Sequence, residues 1–204
     1  MPDHRWFISY HSPEDKPCFR GRGDLVSAVN RLAISFAGVP AAINAFVLTD
    51  STLEAIAEGL GDAVTAAISA WRRTTGMYLS AKYQEPHPLR NGSIQIRRLY
   101  GREDVLRALG GMYGRIPSED VFAYPWCSVR EHFGRGERTP HCHIPLWKAR
   151  RILGTHKTIP ESWTIRPDGQ ISLGDFVKTD SIDRMIGTYG QLTSLVTLFI
   201  PHGE

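Results

Sequence analysis

The segment from Trp126 to Trp147, WCSVREHFGRGERTPHCHIPLW, is the most informative part of the chain for the fold. Residues 126–133 predict a strand, residues 134–138 a loop with two glycines, and residues 139–147 a returning strand. We therefore expect an antiparallel hairpin here. Pro145 has no backbone N–H to donate within a central strand, so we expect the hydrogen-bond ladder to end there.

Strands and helices alternate on both sides of this hairpin. Strands are predicted at 42–49 and 93–97, a long amphipathic helix at 51–76 with a Ser51/Glu54 capping box, a short helix at 103–109 ending at Gly110-Gly111, and a second hairpin at 162–173. A last helix begins near Asp180 and places Ile182 and Tyr189 on one face. This pattern predicts an α+β fold, with an antiparallel sheet and helices packed on one face.

Length and composition are those of one folded domain. The chain has 204 residues, 42% of them hydrophobic and 22% charged. Residues 1–40 are punctuated by Pro and Gly, and we expect them to form an irregular N-terminal arm packed on a domain of residues 41–204. No apolar run approaches the ~20 residues of a membrane span, and no secretory signal is evident, so we expect a cytoplasmic protein.

Charge and cysteine content exclude few functions. The 24 Lys and Arg against 21 Asp and Glu permit nucleic acid as a partner without requiring it. The three cysteines, Cys18, Cys127 and Cys142, have no C-x-x-C spacing, which argues against a disulfide framework or a structural zinc cluster.

Two histidines in the predicted hairpin suggest a metal site. In a strand, His141 and His143 project from the same face, while Cys142 projects from the other. Two neutral imidazoles so placed can share one divalent ion. Glu131 on the preceding strand can supply a third, oxygen ligand, and His132 and Glu137 are the alternatives.

These residues resemble the HUH endonucleases, the rolling-circle replication initiators and relaxases that have a His-hydrophobe-His strand. The resemblance covers about residues 42–192 and rests on four features in the expected order: a strand ending in Thr (Phe46-Val47-Leu48-Thr49), Val129-Arg130-Glu131, Pro140-His141-Cys142-His143-Ile144, and Tyr189 on a later helix. It implies a ferredoxin- or RRM-like core. The chain departs from the family in lacking a Lys three or four positions beyond Tyr189 and a second tyrosine four positions away.

The resemblance implies a metal-dependent enzyme that nicks and joins single-stranded DNA, as in rolling-circle replication initiation or plasmid and phage mobilisation. His141, His143 and Glu131 would bind Mg²⁺ or Mn²⁺, and Tyr189 would attack the scissile phosphate and retain the 5′ end as a phosphotyrosine. The implied substrate is single-stranded DNA or a hairpin origin, and a host helicase would unwind it.

Several residues are candidates for binding the DNA itself. Cationic and stacking side chains are the groups that single strands require, and Trp147 or Tyr100 could stack on a base. The candidates are Thr49, Arg97, Arg98, Lys148, Arg150 and Arg151.

Two other functions remain open. One is a non-catalytic DNA-binding or interaction module of the same fold. The other is a metal-dependent phosphohydrolase, although histidine-triad hydrolases need a His where Pro145 stands, and cupins need a Glu where residues 146–148 stand. Metal uptake and covalent capture of DNA distinguish these functions.

Overall fold

The computed structural model describes residues 4–86, 88–133, 143–153, 163–165, 167–172 and 176–186. These segments contain, in chain order, β1 Arg5–His11, α1 Arg22–Ala37, β2 Ala41–Leu48, β3 Thr52–Gly59, α2 Gly61–Tyr83, β4 Ser93–Leu99, α3 Gly101–Tyr113, α4 Val129–Phe133, β5 His143–Pro145, α5 Leu146–Leu153, β6 Thr164–Ile165, β7 Gln170–Ser172 and α6 Asp180–Ile186. The fold class is α+β, as the sequence predicts.

Four strands form an antiparallel sheet in the order β2-β3-β1-β4. Strand β1 lies inside the sheet, where Ile8 is opposite Ala55 of β3 and Ile96 of β4. Helix α1 joins β1 to β2, and α2 joins β3 to β4. Each helix therefore connects two strands that are separated by a third.

Apolar side chains cover both faces of this sheet. On one face, Ile8 and Tyr10 pack with α1 and α2 around Trp71. On the other face, Val47 and Ile56 pack with α3, α4 and α6. The prediction that helices lie on one face is wrong, because the inner part of the sheet is apolar on both of its faces.

A smaller sheet, in the order β5-β7-β6, packs with α5 against α1. Ala33 and Ile34 of α1 contact a cluster that includes Ile144, Ala149 and Trp163. Helix α1 is thus covered on two sides, which explains why most of its residues are buried.

The predicted helix over residues 51–76 is wrong at its start. Strand β3 follows β2 through a tight turn, in which Thr49 Oγ1 accepts hydrogen bonds from the backbone N–H groups of Ser51 (3.3 Å) and Thr52 (3.0 Å). Helix α2 begins only after β3 and continues past the predicted stop at Gly76.

The prediction of irregular structure in residues 1–40 is also wrong. This segment contains β1, an inner strand of the sheet, and α1, a helix of 16 residues. Its prolines and glycines lie mainly between these two elements and after α1 rather than inside them.

The described parts of the predicted hairpin over residues 126–147 form other elements, and residues 134–142 lie outside the described residues. Cys127 makes an isolated bridge with Val47 of β2, the next residues form α4, and β5 pairs with β7. Strand β5 does end at Pro145, as its missing N–H predicts.

Four predicted elements are confirmed. Residues 42–49 and 93–97 correspond to β2 and β4, the second hairpin to β6 and β7, and α6 begins at Asp180 with Ile182 fully buried. The helix predicted over residues 103–109 is α3, which continues through Gly110-Gly111 instead of ending there.

Candidate functional site

The predicted metal ligands lie on elements other than those expected. Glu131 is on α4, which packs with α3, whereas His143 is on β5 of the small sheet against α1. Within the described residues the strand pairing predicted to join them is not formed, because Glu131 lies on a helix and β5 pairs with β7. His141 and Tyr189 lie outside the described residues, so their assignments stay predictions.

His132, one of the two alternative third ligands, occupies a well-defined polar site on α4. Its side chain is fully buried, and its Nδ1 lies 3.0 Å from Oδ1 of Asp183 on α6. Its Nε2 is buried and has no hydrogen-bond partner among the described residues. In a neutral imidazole whose Nδ1–H donates to a carboxylate, Nε2 has an available lone pair. Glu137, the other alternative, is outside the described residues.

The edge of β2 fixes the positions of α4 and α6. The Phe46 N–H donates to Ser128 Oγ (2.8 Å), and the Ser128 N–H donates to the Phe46 carbonyl (2.9 Å). Asn44 donates from Nδ2 to the Lys178 carbonyl (2.8 Å) and to Ser181 Oγ (3.1 Å). Ser128 directly precedes α4, and Ser181 lies on α6. The contacts therefore attach both helices, and with them His132 and Asp183, to the main sheet.

The buried His132 ring lies between an aromatic side chain and a partly exposed carboxylate. The Tyr113 ring lies edge-on to the imidazole, with 6.2 Å between ring centroids. Burial raises the pKa of Tyr113 well above its usual value, so this phenol stays protonated. Asp183 is 39% exposed, and the site therefore meets solvent on the α6 side.

The pair has the arrangement of a metal-binding imidazole, His132, and the carboxylate that orients it, Asp183. A metal-binding imidazole commonly donates its second N–H to a carboxylate, which orients the ring and leaves the other nitrogen for the ion. Within the described ranges, no three His, Cys, Asp or Glu side chains lie close enough together to form a complete site. The Nε2 atom, which has no hydrogen-bond partner among the described residues, is one atom that could bind a divalent ion.

The predicted DNA contacts Thr49, Arg97 and Arg98 have structural partners. Thr49 stabilises the β2–β3 turn through its hydroxyl. Arg97 lies over the Phe7 ring at 5.6 Å, and Arg98 lies over the Tyr100 ring at 5.2 Å. The two arginines are on β4, an edge strand, where Arg97 is exposed.

The other predicted DNA contacts, Lys148, Arg150 and Arg151, lie on α5. Arg150 and Arg151 are exposed, and Lys148 is half-buried. Lys148 and Arg151 line a cleft between α5 and α2, together with the exposed Trp147. The structure therefore separates the predicted DNA-binding residues into a β4 group and an α5 group.

Asp183 and Arg31, which sequence reasoning missed, are central to these two regions. Asp183 lies 51 positions from His132, and no local spacing relates the two residues. Arg31 lies on α1, at the floor of the cleft between α5 and α2. Only the folded chain brings them to their partners.

No family model and no curated protein matches this chain. The resemblance to HUH endonucleases therefore rests on the residues quoted above. Among the described helices, none has the combination of length and apolar character needed to cross a membrane.

Proposed function

We propose that this protein nicks and rejoins single-stranded DNA through a phosphotyrosine on Tyr189, with the help of a divalent metal ion. The order β1-α1-β2-β3-α2-β4, with the sheet order β2-β3-β1-β4, is that of the split βαβ or ferredoxin-like motif. The resemblance to HUH endonucleases implies a core of this kind. The topology supports the proposal, although many unrelated functions share it.

The observation that carries the proposal is the buried Nε2 of His132, which has no hydrogen-bond partner among the described residues. A buried polar atom without a partner is unfavourable, and Asp183 orients this imidazole as a metal ligand is oriented. We therefore propose His132 as a ligand of the metal ion. Glu131, one position earlier on α4, is the alternative.

The chain's own groups perform the covalent step. The Tyr189 hydroxyl loses its proton and its oxygen attacks the phosphorus, while the bond to the 3′ oxygen breaks and that oxygen takes up a proton. The products are a 5′-phosphotyrosine and a free 3′-OH. Attack by this 3′-OH reverses the step and rejoins the strand. Bound Mg²⁺ or Mn²⁺ would polarise the scissile phosphate and offset the charge on its oxygens.

Covalent capture of DNA tests the proposal. The full chain is incubated with Mn²⁺ and a pool of single-stranded oligonucleotides labelled at their 3′ ends, and protein-sized labelled adducts are sought on a denaturing gel. We expect an adduct that disappears with Tyr189→Phe, with His141→Ala and with EDTA. Tyr124→Phe is the matched control, since it removes a phenol that donates to the Leu48 carbonyl, away from the predicted ligands on α4.

A second pair of variants tests the assignment of His132. His132→Ala should abolish the adduct, and Asp183→Asn should lower its yield about 10- to 100-fold and raise the Mn²⁺ concentration required. Cleavage without an adduct would instead indicate a metal-dependent phosphohydrolase. Binding without cleavage, across a diverse pool, would indicate a non-catalytic DNA-binding module.

A further inference from the structure

A cleft between α2 and α5, here called the α2–α5 cleft, is lined by residues of α1, α2 and α5. Its volume is about 530 Å³, within the range of ligand-binding cavities. The lining side chains that matter for its chemistry are cationic or aromatic: Arg31, Tyr78, Lys82, Trp147, Lys148 and Arg151. No Asp or Glu is among the described residues that line it.

Arg31 places a buried positive charge at this cleft. Its side chain lies over the Tyr78 ring at 4.7 Å, and its Nε donates to the Thr74 carbonyl at 3.1 Å. Arg31 is only 7% exposed and has no carboxylate partner within the described part of the chain. Burial lowers the pKa of Arg31 to about 10, which still leaves it charged at neutral pH. Buried charges in proteins are normally paired, so this guanidinium favours an anion beside it.

The remaining cations increase the positive charge. Lys82 is neutralised by Asp24, with 2.6 Å between Nζ and Oδ1. Lys148 and Arg151, by contrast, have no carboxylate partner among the described residues. Arg31 and Lys148 both lie over the Tyr78 ring, at 4.7 and 5.9 Å from its centre. Burial and the charge of Arg31 lower the pKa of Lys148. An anionic ligand would relieve their repulsion.

Trp147 gives the cleft a flat apolar surface. The Trp147 side chain is 66% exposed, and it lines the cleft together with Arg31, Lys148 and Arg151. A second cavity of about 550 Å³ is lined by Trp147, Arg150 and Arg151, so the two cavities adjoin at Trp147 and Arg151. A ligand that fills both must be elongated, with negative charges along its length and a flat group at the indole. Single-stranded nucleic acid has this chemistry.

We propose that the α2–α5 cleft binds a segment of single-stranded DNA, with phosphates at Arg31, Lys148 and Arg151 and a base stacked on Trp147. The choice of DNA as the polymer rests on the proposed function. The cleft itself is defined by side chains of α1, α2 and α5. Its proposed role is to bind and position the strand rather than to react with it.

Equilibrium binding without metal tests this proposal independently of cleavage. Fluorescence anisotropy of a labelled oligothymidine of about 12 nucleotides is measured with the full chain in EDTA. Trp147→Ala should weaken binding at least about five-fold, the loss expected for one stacked base. Leu60→Ala, which removes an apolar side chain that is 55% exposed at the start of α2, should leave binding unchanged.

Salt dependence tests the phosphate contacts. Lys148→Ala and Arg151→Ala should each lower the slope of log affinity against log salt by about 0.7, the value for one phosphate of a single strand. Arg73→Ala, an exposed cation on α2 outside the cleft, should not change the slope. Circular dichroism of each variant verifies its folding.

Three results would overturn the inference. In the first, Trp147→Ala binds the oligonucleotide as tightly as the wild type, while Tyr100→Ala binds it more weakly. In the second, the salt slopes of Lys148→Ala and Arg151→Ala equal that of the wild type. In the third, duplex DNA of the same length displaces the labelled single strand as well as unlabelled single strand does. Failure of the proposed function is a separate result. If no Tyr189 adduct forms but the cleft variants weaken binding, only the nicking activity is refuted.

Discussion

The substitution Asp24→Asn tests how the helices on one face of the sheet are fixed together. Asp24 lies in the first turn of α1 and is fully buried. Its Oδ1 accepts hydrogen bonds from Lys82 Nζ (2.6 Å) and the Tyr78 hydroxyl (3.4 Å). Its Oδ2 accepts from the Tyr83 hydroxyl (2.6 Å) and the Arg20 N–H (2.9 Å). One carboxylate thus joins the start of α1 to the end of α2.

Asparagine keeps the shape of this side chain but cannot keep its four acceptor contacts. Its NH₂ group must face either Lys82 or the Arg20 N–H, and a buried donor left without an acceptor costs about 1–3 kcal/mol. Loss of the carboxylate charge adds to this cost. Lys82 is 38% exposed and can turn partly toward water, which limits the cost. We therefore expect a loss of about 3 kcal/mol in the free energy of unfolding, at the lower end of values for broken buried ion pairs.

Urea unfolding followed by tryptophan fluorescence measures this loss. Glu85→Gln is the matched control, because it removes a carboxylate that pairs with Arg20 at the exposed surface and should not measurably change the unfolding midpoint. A loss below about 1 kcal/mol for Asp24→Asn would refute the structural role assigned to this carboxylate.

The pH dependence of stability gives a second readout for the same residue. Burial raises the pKa of Asp24, but hydrogen bonds from Lys82 and Tyr83 outweigh burial, and the pKa lies below its usual value. A carboxyl with a depressed folded-state pKa stabilises the fold above its unfolded pKa, near 4, and this contribution disappears as pH falls through the folded value. The wild-type and Asp24→Asn stabilities should converge in acid, and parallel curves would contradict this reasoning.

Three further substitutions test the core by thermal or urea unfolding. Gly92→Ala should destabilise by about 1–3 kcal/mol, because the new Cβ would collide with the ring of the buried Tyr10 and with the His11 carbonyl; an unchanged midpoint would be the contrary result. Trp71→Phe should cost about 2 kcal/mol or more, since it removes the Nε1–H donated to an α1 carbonyl at 3.1 Å and leaves a void. Ser128→Ala should cost about 1–3 kcal/mol by leaving a buried β2 N–H unpaired, and an equally stable variant would show that β2 does not anchor α4 in this way.

Local sequence signals predict the elements whose structure is decided locally. The β6–β7 hairpin follows from the turn at residues 167–169, and β4 follows from alternating side chains with one exposed face. The capping-box pattern at Ser51 is misleading because β3 lies between two strands and is buried on both faces. Such a strand has no alternation in its sequence, and its apolar spacing also fits a helix.

Strand partners and site partners depend on contacts between distant residues. Nothing near β5 in the sequence indicates that it pairs with β7 rather than with the residues before the loop. The contact of His132 with Asp183 likewise depends on how α4 and α6 meet at the edge of β2. The sequence therefore identifies ligand types and a tyrosine, while the buried imidazole with its carboxylate emerges only from the fold.

The most direct test of the central claim is to locate the DNA on the protein. The adduct formed with Mn²⁺ is digested with nuclease and trypsin, and the peptides are analysed by mass spectrometry. Trypsin cleaves after Arg184, and Tyr189 is the sole tyrosine among residues 185–204. The account predicts a nucleotide remnant on Tyr189 of this peptide. A remnant on any other residue, or cleaved DNA with no remnant on the protein, would contradict it.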